Sequence, residues 1–213
     1  MTAVLICGGT LSPAFLREVS EQYKDAAVYA VDGGLAVAEA AGILPDYLVG
    51  DFDTADESLV SRYEKTCVTI RHVPEKDATD TELAVDEAIQ RGADKIILLG
   101  ATGSRMDHTL ANFHMLYRIL LCGKEAWILN ENNRISLHNK PFSRKRRELF
   151  GTYLSFLPFF GEVTGVTLAG VKYPLEGKTL TAGNSLGVSN EGMGDTIWVS
   201  FVSGYLLMIE SRD

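Results

Sequence analysis

The chain has 213 residues, 28 acidic against 20 basic, a net charge of −8 and a 46% apolar share, an ordinary globular composition. The acidic balance speaks against a general nucleic-acid binder, and no apolar run approaches the roughly 18 residues that a membrane span needs. Three widely spaced cysteines (Cys7, Cys67, Cys122) offer no C-x-x-C pair, which excludes a locally built zinc knuckle or dithiol motif.

Residues 1–9 begin apolar, lack a basic lead and run into a glycine turn, so they read as a first strand and not as a secretory signal; a cytoplasmic protein is expected. To about residue 130, short apolar runs alternate with helical stretches. Strands are expected at 3–7, 27–31, 46–49, 67–70, 95–99 and 126–129, and their mostly continuous apolar character suits parallel strands covered on both faces. Helices are expected at 13–23, 34–41, 56–65, 80–91 and 108–121. The fourth is the best marked: Thr79 and Glu82 have capping-box spacing, Val85 and Ile89 lie one turn apart, and Gly92 can stop it. Such alternation predicts a doubly wound, mostly parallel α/β domain over 1–130.

Beyond residue 131 the helical period disappears. Runs at 153–158, 166–168, 178–180 and 196–202 are separated by turns rich in Gly, Pro and Asn, which predicts antiparallel strands in a small sandwich or barrel, an all-β domain over 131–213 with a sandwich preferred. The basic run Arg144-Lys145-Arg146-Arg147 reads as a solvated loop between strands, with attraction of a polyphosphate as the alternative.

In an open α/β sheet the ligand sits beyond the carboxyl ends of the strands. Asp32-Gly33-Gly34 follows the second expected strand and Gly50-Asp51-Phe52-Asp53 the third. Asp77 and Asp80 come after the fourth, and Gly100-Ala101-Thr102-Gly103-Ser104-Arg105-Met106-Asp107-His108 after the fifth. Concentrating acid at one edge is unfavourable unless cations offset it, and magnesium characteristically bridges carboxylates to phosphate oxygens. In extended chain Asp51 and Asp53, two apart, point the same way and can face one ion. Glycines after the strands (Gly8-Gly9, Gly33-Gly34, Gly100 and Gly103) let backbone amides approach a phosphate. Arg105 adds a planar donor. Metal, arginine and backbone amides are what phosphoryl transfer requires.

Two apparent motifs fail. Gly177-Lys178-Thr179 is preceded by Gly170 with six intervening residues instead of the four of a phosphate-binding loop, and it lies in the β-rich half. Gly192-x-Gly194 lacks the third glycine of a dinucleotide fingerprint. No G-x-S-x-G elbow is present. His108 opens a helix and His114 lies inside it; His72 and His138 suggest no role.

At these residues the chain resembles the thiamine pyrophosphokinase family along nearly its whole length. The stretches are Asp32-Gly33-Gly34, Gly50-Asp51-Phe52-Asp53, Lys76-Asp77-x-Thr79-Asp80-x-Glu82, Gly100-x-x-Gly103-x-Arg105-x-Asp107-His108 and Gly183-Asn184-Ser185-x-Gly187-x-Ser189-Asn190-Glu191. The resemblance implies a magnesium-dependent enzyme that moves the β,γ-diphosphate of ATP onto the hydroxyl of thiamine. It also implies a homodimer with each thiamine held between the N-terminal domain of one subunit and the β domain of the other. Asp51, Asp53 and Asp80 would hold magnesium, and Arg105 and Asp107 would contact substrate or phosphate. Gly9, Asp32, Gly33, Gly34, Thr102, Ser104 and His108 would surround ATP. Asn184, Ser185, Ser189 and Asn190 would line the thiamine pocket, and Tyr173 would pack on thiamine. A flat cationic thiazolium suits an aromatic face, and an aminopyrimidine suits amides and hydroxyls. The chain departs from the family at Ser104, where a second glycine is common, and at Gly192-Met193-Gly194, where a bulky apolar residue often follows the glutamate. The competing readings are a metal-dependent nucleotide phosphohydrolase and a non-catalytic sensor of thiamine or nucleotide.

Overall fold

The structure is a computed structural model that describes residues 1–52, 56–71 and 78–213. It divides into two compact units, Met1–Glu131 and Asn132–Asp213. As the alternation predicts, the first is an α/β unit with a parallel sheet, and the second is antiparallel β.

In unit 1 the strands are β1 (Thr2–Ile6), β2 (Ala27–Val31), β3 (Tyr47–Gly50), β4 (Val68–Arg71), β5 (Lys95–Leu99) and β6 (Glu125–Leu129). They lie in the order β6-β5-β1-β2-β3-β4, and every neighbouring pair is parallel. The chain builds outward from β1 through β4, then crosses back to place β5 on the other side of β1. The strand order therefore reverses between β1 and β5, where open α/β sheets bind their ligands. Leu5, Ile6, Ile96, Ile97, Leu98 and Leu99 are fully buried, each contributing roughly 1.5–3 kcal/mol by leaving water.

The helices are α1 (Pro13–Gln22), α2 (Gly34–Ala41), α3 (Glu57–Tyr63), α4 (Asp80–Gln90) and α5 (Met106–Leu121). Local chemistry fixes their starts. Ser12 Oγ accepts from Phe15 N with proline at the first helical turn of α1, Asp56 accepts from Ser58 N and Leu59 N at α3, and Thr79 Oγ1 accepts from Glu82 N at α4. Glu82 does not complete a capping box. Its carboxylate takes Arg118 Nη1 at 3.0 Å, while Asp86 takes Arg118 Nη2 at 2.7 Å, tying α4 to α5. Lys95 Nζ lies 3.3 Å from the Trp127 ring centroid, a cation–π contact across β5 and β6.

In unit 2 the strands are β7 (Asn133–His138), β8 (Phe142–Lys145), β9 (Tyr153–Pro158), β10 (Val163–Ala169), β11 (Leu175–Leu180), β12 (Asn190–Glu191), β13 (Thr196–Ser200) and β14 (Leu206–Ser211). One set pairs in the order β12-β9-β14-β7 and the other in the order β11-β10-β13-β8, antiparallel throughout. Leu154, Phe156, Leu206 and Met208 of the first set meet Val166, Leu168, Leu180, Ile197 and Val199 of the second in one apolar core, the packing of a sandwich. Four strands, β7, β8, the two-residue β12 and β14, were not expected from the sequence. The basic run 144–147, expected as a loop, forms instead the end of β8 and a short 3₁₀ turn (Arg146–Glu148). Trp198 on β13 stands on the outer side of its sheet, 61% exposed.

Unit 2 contains a buried ion pair. Glu210 on β14 is 2% exposed and takes Arg134 Nε of β7 and, at 3.2 Å, Phe150 N. Arg134 Nη2 donates to Glu148 O at 2.7 Å. Breaking such a pair from one side strands a buried charge. We expect Glu210→Ala to lower the stability of the protein by about 3–5 kcal/mol in urea unfolding, and Arg134→Leu with Glu210→Leu together to lower it much less.

Candidate active site

A cavity of about 680 Å³ opens at the carboxyl end of the unit 1 sheet. Its walls come from the loop after β1 (Cys7 to Thr10), the end of β2 (Val31, Asp32), the start of α4 (Thr79 to Thr81), the loop after β5 (Gly100 to Arg105) and the first two turns of α5 (His108, Thr109, Asn112).

The first and fourth of these walls are zipped together. Past the ends of β1 and β5, Cys7 N donates to Leu99 O at 2.8 Å, Gly9 N to Gly100 O at 2.8 Å and Thr10 N to Thr102 O at 2.7 Å. Gly9 must be glycine for this: a Cβ there would lie 2.3 Å from Gly100 O and 2.5 Å from Thr102 O. The amide of Gly9 is thus occupied by a carbonyl, and this glycine serves close approach of two loops instead of presenting its N–H to a phosphate. Gly34 begins α2 under a similar constraint, since a Cβ would lie 1.8 Å from Ile6 O. Between them Asp32 has a left-handed backbone, φ +44°, held by Asp32 N donating to Val49 O at 2.9 Å and Leu35 N donating to Asp32 O at 3.1 Å. A non-glycine residue in that region is uncommon, and the surrounding bonds hold it there.

The loop after β5 is fixed from below by three polar side chains that sequence reasoning passed over. Thr109 Oγ1 accepts from Gly103 N at 3.2 Å and donates to Arg105 O at 3.1 Å. Asn112 Nδ2 donates to Ala101 O at 2.8 Å, and Asn130 Nδ2 donates to Thr102 Oγ1 at 3.1 Å. Thr109 and Asn112 are both buried. Their signal was present: polar residues three apart on the face of α5 that also carries Leu116 and Ile119.

Of the expected nucleotide-side residues, Gly9, Asp32, Thr102, Ser104 and His108 line the cavity, together with Asp80 and Arg105. Gly33 lies behind it, packed backbone to backbone on Gly8, with Gly34 next to it. Arg105 forms a two-pronged ion pair with Asp107, 2.5 Å from Nη2 and 3.2 Å from Nε. Both side chains are exposed. The Arg105 guanidinium draws the Asp107 carboxyl down to about 2, so the pair stays ionised through neutral pH. Asp107 does not itself face the cavity. Cys7 does, but burial pushes its thiol up to about 11, against a smaller opposing pull from the Thr81 hydroxyl. It is therefore a protonated thiol at neutral pH.

Asp51 follows β3, is half-buried and is not among the residues that line the cavity. Asp53, Asp77 and His72 lie outside the described residues. Phe52, which follows Asp51, has φ +58°, and its ring packs into a core with Ala30, Leu35, Leu48, Val60 and Tyr63. Among the described residues no three His, Cys, Asp or Glu side chains form a ready cluster for a metal ion.

The remaining expected residues belong to unit 2. Tyr173 is 57% exposed and Asn190 is buried beside it. Asn184 Oδ1 accepts from Leu186 N at 2.8 Å, an Asx turn. Ser185 O accepts from Val188 N at 3.0 Å. Ser189, left-handed at φ +56°, donates its N–H to Ser155 Oγ at 3.1 Å. Asn184, Ser185 and Ser189 are exposed on this one loop.

Comparison with known proteins agrees with this geometry. A family profile described as "Thiamin pyrophosphokinase, catalytic domain" matches residues 20–128, and one described as "Thiamin pyrophosphokinase, vitamin B1 binding domain" matches residues 142–206. The chain is 35% identical over 184 residues to the thiamine pyrophosphokinase of Bacillus subtilis (strain 168), covering 86% of each chain. It superposes on the crystal structure of thiamine pyrophosphokinase from Bacillus subtilis with a TM-score of 0.88 and 32% identity over all of both chains. It superposes on that of thiamin pyrophosphokinase from Geobacillus thermodenitrificans with a TM-score of 0.85 and 30% identity, covering 100% of this chain and 98% of that one.

The Thr109 hydroxyl gives a test of the loop. Thr109→Val keeps the shape and leaves Gly103 N–H without its acceptor. It should lower stability by about 1–3 kcal/mol in urea unfolding.

Proposed function

The chain belongs to the thiamin pyrophosphokinase family and is a thiamine diphosphokinase, and from that premise we propose how its residues carry the transfer. ATP lies in the unit 1 cavity with its phosphates against the loops after β1 and β5. The observation that supports this most directly is that Asp32, Asp80 and Arg105 converge with glycine-bounded loops on one cavity where the strand order reverses.

The hydroxyl oxygen of thiamine attacks the β-phosphorus of ATP. The new O–P bond forms as the bond from that phosphorus to the α-bridging oxygen breaks, AMP departs, and the hydroxyl proton passes to a carboxylate or to water. Arg105 offsets the charge that develops on the transferred group, and Asp107 holds the guanidinium in place by its two-pronged contact. The closed, zipped loops keep the phosphates in line, and most catalysis of phosphoryl transfer is positioning of this kind.

The donors near the cavity fit a hard cation: they are carboxylate oxygens, and the one thiol on the wall, Cys7, is held protonated. Asp51, Asp53 and Asp80 would hold magnesium, which when bound neutralises phosphate oxygens. We extend the proposal to Asn184, Ser185, Ser189 and Tyr173 as the thiamine-reading surface of unit 2, and to a homodimer in which two copies complete each site; both rest on the family resemblance. A cytoplasmic location is proposed on the free, reduced cysteines, of which Cys122 is exposed.

Purified protein given ATP, magnesium and thiamine should form AMP and thiamine diphosphate in equal amounts, and neither when thiamine is omitted or EDTA is added. Asp51→Asn should lower turnover by several powers of ten without changing the circular dichroism spectrum. Phosphate release from ATP without thiamine would overturn the transfer, and a fully active Asp51→Asn protein would overturn the metal assignment.

A further inference from the structure

Asn190 and Tyr173 stand apart from the rest of the unit 2 loop, because one side chain takes up the whole backbone polarity of the other residue. Tyr173 lies in an irregular bend between the bridge at Val171 and β11. Its N–H donates to Asn190 Oδ1 at 2.9 Å, and its C=O accepts from Asn190 Nδ2 at 2.7 Å. Asn190 Oδ1 also accepts from Glu191 N at 2.9 Å. The oxygen has two lone pairs and both are engaged; the nitrogen has two hydrogens and one is engaged. Rotating the amide would set donor against donor, so its plane is fixed. At 2% exposed, Asn190 is among the few buried polar residues of the described part of the chain, and an amide is costly to bury unless its bonds are made.

Around this clamp the bend is tied a second time. Lys172 N donates to Glu191 O at 2.9 Å, and Lys172 Nζ meets Glu191 Oε1 at 2.6 Å. Pro174 restricts the backbone of Tyr173 before it. The result is a large aromatic ring, more than half exposed, standing on a backbone that cannot move independently of β12. An exposed ring has little packing of its own to orient it, and its direction is inherited from the bend.

We propose that Asn190 is a positioning residue for thiamine: its amide touches Tyr173 and not the ligand, and it sets the ring at the height and angle at which the thiazolium meets it. This rests on the functional reading above and changes the part that the family resemblance gives Asn190, from lining the pocket to holding the aromatic that does. Lys172 Nζ lies 5.5 Å from the Tyr173 centroid, so a cationic ligand and this ammonium share one ring, and Glu191 keeps the ammonium to one side.

A double-mutant cycle tests it, with KM for thiamine, KM for ATP and kcat measured for the wild type, Asn190→Ala, Tyr173→Ala and the pair. Asn190→Ala should raise KM for thiamine about tenfold or more while KM for ATP and kcat at saturating thiamine change less than about threefold. In the Tyr173→Ala background it should raise KM no further. A direct contact between Asn190 and thiamine would make the two effects multiply, and that result, or a wild-type KM in Asn190→Ala, overturns the proposal. Should Asn190→Ala fail to fold, Asn190→Asp keeps both acceptances and loses the donation to Tyr173 O. The proposal expects a higher KM from it, and an unchanged or lower KM, as an added negative charge touching the cation would give, overturns it. A wild type that forms no thiamine diphosphate would overturn the functional reading and this inference together; normal wild-type activity isolates the outcome to Asn190.

Discussion

Everything at the active end of unit 1 depends on two loops being able to touch. The parallel pairing of β1 with β5 does not stop where the strands stop; it continues as three further backbone bonds from Cys7, Gly9 and Thr10 to Leu99, Gly100 and Thr102. Each is worth only about 0.5–1.5 kcal/mol net, yet together they convert two flexible connections into one wall. The contact is possible because position 9 has no side chain to stand between the carbonyls. With that wall set, β2 can deliver Asp32 and α4 can deliver Asp80 to the opposite side, and α5 can close the floor with Thr109 and Asn112. The cavity is a consequence of backbone proximity first and of side-chain chemistry second.

Unit 2 solves a similar problem by the opposite means. Its exposed loop residues are organised by side chains that bond to backbone: Asn184 in an Asx turn, Ser155 under Ser189, Asn190 under Tyr173. Antiparallel strands joined by long turns leave many backbone groups without a ladder partner, and short polar side chains are the local means of satisfying them. The turns rich in Asn and Ser that look like filler in the sequence are the scaffold on which the exposed aromatic stands.

The α/β half was legible because its signals are redundant. Continuous apolar runs mark β1, β5 and their neighbours, and Thr79 caps α4 as its spacing to Glu82 indicates. The β half was less so. In β7 only Ile135 and Leu137 face inward among polar neighbours, and β8 ends in basic residues because it is an edge strand whose charges reach solvent. A run of charge is compatible with an edge strand, and composition alone does not separate that from a loop. At the site, the acids and glycines were visible as types, but their tasks were set by tertiary contacts. Phe52 is left-handed and its ring is buried, which no pattern of alternating residues records. Thr109 and Asn112 were hidden by being read as members of a helix when their bonds go to a loop.

The distribution of tryptophan has a practical corollary. The chain has two, Trp127 and Trp198, and they fall one in each unit. Trp127 is half-buried with an ammonium over its ring, whereas Trp198 looks into water from an open sheet face. Their emission should differ in colour and in access to a dissolved quencher, so the protein carries a built-in pair of optical reporters. Whether the two halves melt as one body or in sequence can be followed with light alone, with no label attached and no residue near the chemistry disturbed.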